Sequence, residues 1–571
     1  MPHDMLSSSL TLQPGVLGNA FDDGLRLLAE RNVRDALRRR DPSVWSTDAA
    51  VQKAVANRLG WLAAPDVMPA ELDDVVRFAG AVREEGVRGV VLLGMGGSSL
   101  APEVLRAVIG IGNGWPGFTM IDSVNPDHLL GVAVDPRETL FVLASKSGST
   151  IEPNALAAHF RQRLLDANVV EWGRHFIAVT DPGTPLDARA ARDGFRQVFR
   201  NPPDIGGRYS ALSLFGLVPA ALMGIDGARL LAGARRMLVL ALGPDHDHDP
   251  AIRLGVLMGV AARAGHDKLT LLLPPELEPF GLWIEQLVAE STGKRGTGIA
   301  PIAGEPLGPP ADYGSDRVIV RVRLRGRTDA GVEALMAAME QAGVPSATIT
   351  MDTPAALGAE FMRWELATAV SAIVLGVNPF DEPNVQQAKD ATRTLLETVA
   401  REGRLPAAEP DAEIDHAAFT LTAAARRLLG PRRADRVLDL LRPGDYASIM
   451  AYLPESPEVA AAVGRFRAAI RRRTRCATMF GYGPRYLHST GQLHKGGANN
   501  GVFLIVTAPG QDLPVPGETF SFGVLELAQA LGDLASLDEL GRRALHVHLP
   551  RADAGLLERC LSRLVDPYSD T

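Results

Sequence analysis

The 571 residues contain two cysteines, Cys476 and Cys560. Two thiols cannot build a disulfide framework, and such sparing use suits a reducing, cytoplasmic setting. Long apolar runs are also missing. The most apolar stretch, residues 211–225, is short for a membrane span and contains Gly216 and Pro219, so it reads as a buried helix. The first residues, MPHDMLSSSLTLQPG, lack a basic start followed by an apolar core, so no secretory signal is expected. Excess positive charge is absent as well. The net charge of −8 argues against a nucleic-acid partner and leaves any anionic ligand to a local basic site. Neither a short-period repeat nor a long low-complexity tract is visible. Gly293-Lys294 lacks the upstream glycine of a Walker loop, and Leu100 holds the last position of a nucleophile elbow at Ser98.

What is present is a soluble globular composition, 46% hydrophobic and 22% charged, in a chain too long for one core. Residues 1–65 read as a helical lead-in. From residue 66 strands and helices alternate. Strands are expected at 89–93, 118–121, 139–144 and 176–180, with an edge strand at 195–199. The pattern resumes over 226–400, with Asp249 and Pro250 capping a helix and strands near 269–273, 317–322 and 347–351. Alternation at this spacing means parallel sheets covered by helices. The expected fold class is therefore α/β, two doubly wound domains at 66–225 and 226–400. Residues 404–415 read as a linker, and 401–571 as a C-terminal α/β extension with helices at 417–442 and 457–474.

The chemistry concentrates at Ser145-Lys146-Ser147-Gly148-Ser149-Thr150, between a buried strand and a helix start. Backbone N–H groups and the positive helix end converge there, and four hydroxyls with one ammonium suit a phosphate monoester. An ordinary helix cap needs only one such residue. Gly94-Met95-Gly96-Gly97-Ser98-Ser99 follows the first strand and misses a dinucleotide fingerprint at Ser99, although Asp122 ends the next strand as a ribose-binding acid would. Two such turns on neighbouring strands favour one small phosphorylated ligand. Gly206-Gly207-Arg208 brings backbone and a fixed cation together, suited to an enediolate. Gln286 and Glu290 share a helical face, and Glu290 lies at the negative helix end, where a carboxylate holds its proton tightly and suits a general base.

GMGGSSLAP (94–102), SKSGSTIEP (145–153), GGRYS (206–210), QLVAESTGK (286–294) and GVNPFDEPNVQQAKD (376–390) stand in the order of the glucose-6-phosphate isomerase family, built from two sugar isomerase (SIS) domains. The chain resembles that family, and most of all the isomerase half of the fused transaldolase/glucose-6-phosphate isomerases. The resemblance implies that Ser145, Lys146, Ser147 and Thr150 hold the sugar phosphate, with Gly97 and Ser98 beside them. It implies that Glu152 orients the sugar or its neighbours, Arg208 stabilises an enediolate, Glu290 is the base with Gln286 nearby, and Lys389 helps open the sugar ring. It further implies no metal or other cofactor, a sugar phosphate as the only ligand, and a homodimer. A broader specificity that includes mannose 6-phosphate, a sugar-phosphate sensor and a nicotinamide oxidoreductase are the competing readings.

Two departures stand out. Glu382 occupies the position, seven residues before Lys389, where the family has Gln. The family's ring-opening His, contributed by a neighbouring subunit, has no counterpart from 290 to 416. The loop Tyr486-Leu487-His488-Ser489-Thr490-Gly491-Gln492-Leu493-His494-Lys495 offers His488 and His494 as substitutes. Asp245-His246-Asp247-His248 reads as a solvated loop, His546 and His548 as a pair without a third metal ligand, and the Arg465–Arg473 stretch as a solvated or acid-paired basic helix.

Overall fold

The structure, a computed structural model, describes residues 8–243, 249–406, 409–430 and 433–566. Asp245-His246-Asp247-His248 lies outside the described residues.

Strand β1, Ser8–Gln13, comes before everything that sequence pattern recognises as sheet. The first domain then lays down β2 (Gly89–Leu93), β3 (Gly117–Ile121), β4 (Thr139–Ala144), β5 (Phe176–Thr180) and β6 (Gln197–Arg200). They form one parallel sheet in the order β3-β2-β4-β5-β6. All six residues of β4 are buried, as a strand covered by helices on both faces requires. The second sheet holds β7 (Lys268–Leu272), β8 (Ala300–Ile302), β9 (Arg317–Leu324) and β10 (Ser346–Met351). Its order is β8-β7-β9-β10, closed by β1 running antiparallel along β10.

The expected helical character of residues 1–65 is thus corrected at its start. Ser8–Gln13 alternates between partly buried and exposed positions, as an edge strand with one solvated face does. Six residues are too short a period to stand out from sequence, and the partner strand lies more than three hundred residues away.

The C-terminal region is a third sheet. Strands β11 (Ala412–Ile414), β12 (Ala417–Leu421), β13 (Tyr446–Tyr452), β14 (Ala477–Tyr482), β15 (Gly501–Thr507) and β16 (Arg543–His548) take the order β11-β12-β16-β15-β13-β14. Counting from its first parallel strand, β14-β13-β15-β16 winds as β3-β2-β4-β5 and β8-β7-β9-β10 do. Part of the expected linker is β11, and the helix expected over 417–442 is β12 followed by the helix Ala423–Leu429. The Ala-, Leu- and Arg-rich composition favours helix locally, and pairing with β16 overrides it.

The first two domains share one hydrophobic core, which runs from Val90 and Val142 through Trp283 and Trp364 to Val318 and Ile349. The third domain has its own core around Val463, Leu504 and Leu557. It is tied to the others by two mixed apolar clusters, one joining Phe522 and Leu525 with Phe141 and Leu143 and one joining Tyr446 and Phe503 with Ala289 and Ile302, and by charge-assisted hydrogen bonds. Arg467 donates to the carbonyls of Ala303 (2.9 Å) and Gly304 (2.7 Å). Arg485 grips both oxygens of Asp122 at 2.7 Å.

One buried carboxyl is at odds with its surroundings. Glu285 lies within the helix Glu278–Thr292, its Oε2 has no hydrogen-bond partner, and burial pushes its pKa to about 8 although Arg467 opposes the shift. Its folded pKa lies above the ordinary 4.5, so stability is lost as pH rises from about 4.5 to about 8. Glu285→Gln is therefore expected to raise the melting temperature at pH 8 and to leave it nearly unchanged at pH 5. Equal shifts at the two pH values would show that the carboxyl is not held neutral.

Candidate active site

Two glycine-rich turns meet backbone to backbone. Gly96, at φ +55°, bends the chain after β2. A Cβ on Gly97 would lie 2.0 Å from the carbonyl oxygen of Gly207, so only glycine permits the contact. The Ser210 hydroxyl donates to both the Gly207 carbonyl (2.6 Å) and the Gly97 carbonyl (3.3 Å), which locks the second turn on the first.

This contact sets the place of Arg208, which is buried and saturated. Its Nε donates to Ser291 Oγ at 3.0 Å. Nη2 donates to the carbonyls of Pro379 (2.6 Å) and Asp381 (3.0 Å). Nη1 lies 3.1 Å from Glu290 Oε1 and 3.1 Å from Glu382 Oε2. The Glu290 side chain is 13% exposed, and Gln286 donates to its other oxygen at 3.2 Å. Burial raises the Glu290 pKa. Arg208 opposes that rise and Glu382 adds to it. Nearby, burial pushes Lys294 down to about 8, and its ammonium bonds the Asn378 carbonyl (2.5 Å) and the Asp381 carboxylate (2.6 Å).

The hydroxyl-rich turn after β4 opens onto a cavity of about 420 Å³. Its lining includes Ser147, Ser149 and Thr150 from this turn, Lys389 and Arg393 from the helix Val385–Glu402, and His488 from the third domain. Thr150 starts the helix Ile151–Asp166 without capping it through its side chain, so neither that hydroxyl nor the helix end is spent on a cap. Ser145 is buried, and its hydroxyl meets Thr150 Oγ1 (3.2 Å) and accepts from the Gly148 amide (3.1 Å). It shapes the turn from inside. Lys389 is exposed and has no ion pair among the described residues.

Several of the expected site residues lie off this cavity, among them Lys146, Gly97, Ser98 and His494, and also Arg208, Gln286 and Glu290. The Lys146 ammonium does not line this cavity; it pairs with Asp181 and donates to the Pro203 carbonyl at 3.1 Å. Gly97 and Ser98 are buried beside the Gly207 turn and do not line the cavity either. His494, on the helix Gly491–Gly496, is buried in the cluster that the third domain shares with the second. Its ring packs by Tyr446, Tyr486 and Phe503, its Nε2 meets Ser448 Oγ at 3.3 Å, and burial holds its pKa well below the ordinary value.

His488 turns the other way. Its Nε2 lies 2.8 Å from Glu152 Oε1, and its carbonyl accepts from Gln286 at 2.8 Å. Gln529 also donates to Glu152, at 2.6 Å. Burial alone raises the Glu152 carboxyl, yet His488 and Gln529 outweigh it and hold the pKa below the ordinary value. Gln286 thus links Glu290 to His488, and His488 links both to the cavity wall. Asp122 is not open to a ribose, since Arg485 engages both of its oxygens. His546 and His548 both meet the Thr507 hydroxyl, at 2.7 Å each. Among the described residues no cluster of three metal-ligating side chains occurs.

Arg393 and Gln529 escaped the sequence reading, whereas Lys495 belongs to the loop that carries His488 and His494. Arg393 had a signal, lying four residues past Lys389 on one helical face. Gln529 had none, because it reaches the cavity from the third domain.

The phosphoglucose isomerase family model matches residues 75–302. A glucose-6-phosphate isomerase of Rubrobacter xylanophilus is 30% identical over 370 residues, 56% of this chain and 85% of that one. The chain belongs to the glucose-6-phosphate isomerase family. A second family member, from Thermus thermophilus, is 31% identical over 383 residues, covering 59% of this chain and 90% of its own length. Among solved structures, a hypothetical protein from Thermus thermophilus is similar with a TM-score of 0.58 at 28% identity, over 67% of this chain and 99% of that one. A glucose-6-phosphate isomerase from Chlamydia trachomatis shares the fold, with a TM-score of 0.56 at 20% identity over 69% of this chain and 89% of that one.

In this member of the isomerase family, Gly97→Ala is expected to push the Gly207 turn outward and carry Arg208 away from Glu290. Turnover should fall by roughly tenfold or more, since a displacement of about 1 Å at a site is felt strongly. Unchanged turnover would mean that the contact does not set the position of Arg208.

Proposed function

We propose that the chain interconverts glucose 6-phosphate and fructose 6-phosphate. The reaction moves a proton between C2 and C1 of the open-chain sugar through a cis-enediol. The observation that carries this reading is a mostly buried carboxylate, Glu290, held against a buried guanidinium, Arg208, in a chain of this family. A carboxylate whose proton affinity is raised by burial is matched to taking a proton from carbon. A fixed cation beside it stabilises the oxyanion that forms on the neighbouring oxygen without having to reorganise.

The phosphate sits, in this proposal, at the hydroxyls of Ser147 and Thr150 and the N-terminal end of the helix Ile151–Asp166. Ser145 and Lys146 support that turn from behind. Ring opening needs one group to protonate the ring oxygen and another to accept the C1 hydroxyl proton, so that the bond from C1 to the ring oxygen breaks. His488 and Lys389 share the cavity wall and fill these roles, with Glu152 orienting the imidazole. All of these groups belong to one chain, so the proposed chemistry does not draw on a second protomer. A homodimer remains an expectation of the resemblance. The two unpaired, buried cysteines support a cytoplasmic setting.

An assay that couples glucose 6-phosphate formation from fructose 6-phosphate to a reporter tests the activity. Glu290→Gln is expected to lose roughly 10²–10⁴-fold in kcat with KM largely kept. Wild-type rates would remove Glu290 as the base. His488→Ala is expected to slow turnover of the cyclic sugar by at least about tenfold, and His494→Ala to change the melting temperature more than kcat. The reverse ranking would exchange the two histidines.

A further inference from the structure

One guanidinium nitrogen serves two carboxylates. Arg208 Nη1 is 3.1 Å from Glu290 and 3.1 Å from Glu382. The other donors of Arg208 are committed to Ser291, Pro379 and Asp381, so the group cannot rotate to favour one acid. Glu382 sits on the 378–382 segment, which Lys294 clamps through the Asn378 carbonyl (2.5 Å) and the Asp381 carboxylate (2.6 Å). The second acid is therefore brought to Arg208 by fixed backbone, even though its side chain is 49% exposed.

The charges around Glu290 come from three places. Arg208 reaches it from the turn after β6. Gln286 and Lys294 belong to its own helix and that helix's end. Glu382 and Asp381 belong to the facing segment. Lys294 is matched by Asp381, which leaves one guanidinium between two carboxylates. Two anions sharing one cation cannot both be fully compensated, so the buried one retains its proton more strongly.

We propose that Glu382 is a positioning residue that sets the strength of Glu290 as a base by competing with it for Arg208. The proposal rests on the reading of Glu290 as the base. When Glu290 takes up the substrate proton, it becomes neutral and its hold on Arg208 weakens as the enediolate oxygen gains charge. Glu382 then still holds the guanidinium where that oxygen needs it.

The test is kcat/KM as a function of pH for the wild type, Glu382→Gln, Glu382→Asp and Glu290→Gln. The substrate phosphate also titrates near pH 6, but equally for every variant, so the differences between profiles isolate the protein group. In Glu382→Gln the Nη1 group is left to Glu290 as its only carboxylate, and the acid limb is expected to move to lower pH by about 0.5–1 unit. The plateau should fall a few-fold, because a weaker base abstracts more slowly. Glu382→Asp keeps the charge and is expected to keep the acid limb near that of the wild type. Glu382→Ser is a second neutral variant that gives the same readout if the Gln variant is unstable.

A purely structural role for Glu382 would lower the plateau or the melting temperature without moving the limb. An acid limb in Glu382→Gln and Glu382→Ser that stays at the wild-type pH, or moves upward, overturns the proposal. That failure is distinct from failure of the base assignment, which Glu290→Gln reports through retained turnover.

Discussion

A buried arginine whose every donor is taken organises this protein. Arg208 binds Ser291 on one domain's helix, the 379–381 carbonyls on the following segment, and two carboxylates at once. A charge taken out of water is tolerable only when its hydrogen-bonding capacity is filled, so each partner must arrive in register. The need explains the glycine contact between residues 97 and 207, the tight packing of the turn after β6 and the clamp by Lys294. It also explains why the site's residues come from segments nearly two hundred residues apart.

The three sheets share one winding order but not one use. In the first, the turns at the carboxyl ends of β2 and β4 carry glycines and hydroxyls, where ligands of open α/β sheets bind. The third sheet presents the stretch LPES after β13 and a proline- and glycine-containing loop after β15, and it turns its β14–β15 segment against the first domain. Arg485, His488 and Gln529 all come from this face, and each meets an acid of the first domain. In the proposed site the third domain is a wall bearing an imidazole. A buried carboxylate such as Glu152 needs that wall, because burial by itself would favour its neutral form.

Legibility in the sequence followed burial. Strands β2, β4 and β5 are buried on both faces and write uninterrupted apolar runs, which reading by pattern recovers within a residue. The helix Leu357–Leu375 was equally plain, since every residue from Leu357 to Val374 is buried. Strands β13 and β14 were not read, because Ser448, Thr478 and two tyrosines interrupt their apolar character while still being buried. Among site residues, Gln286 and Glu290 are one helical turn apart and so are neighbours by local geometry, whereas Arg208 is joined to them in sequence only through the family resemblance. Choosing between His488 and His494 was beyond local reasoning. Six residues apart in one loop and short helix, they differ only in which way the chain turns.

The sequence by itself determined the alternating layers, the anion-binding turn and the carboxylate at a helix end. Those features depend on periodicity, helix dipoles and the backbone freedom of glycine, all of which act over a few residues. Only the tertiary structure decided that Lys146 faces Asp181, that His488 reaches Glu152, and that Glu382 shares Arg208 with Glu290. Each of these is a polar pairing between residues that are not neighbours along the chain. Coulomb attraction depends on distance and burial, and folding sets both without leaving a mark on neighbouring residues.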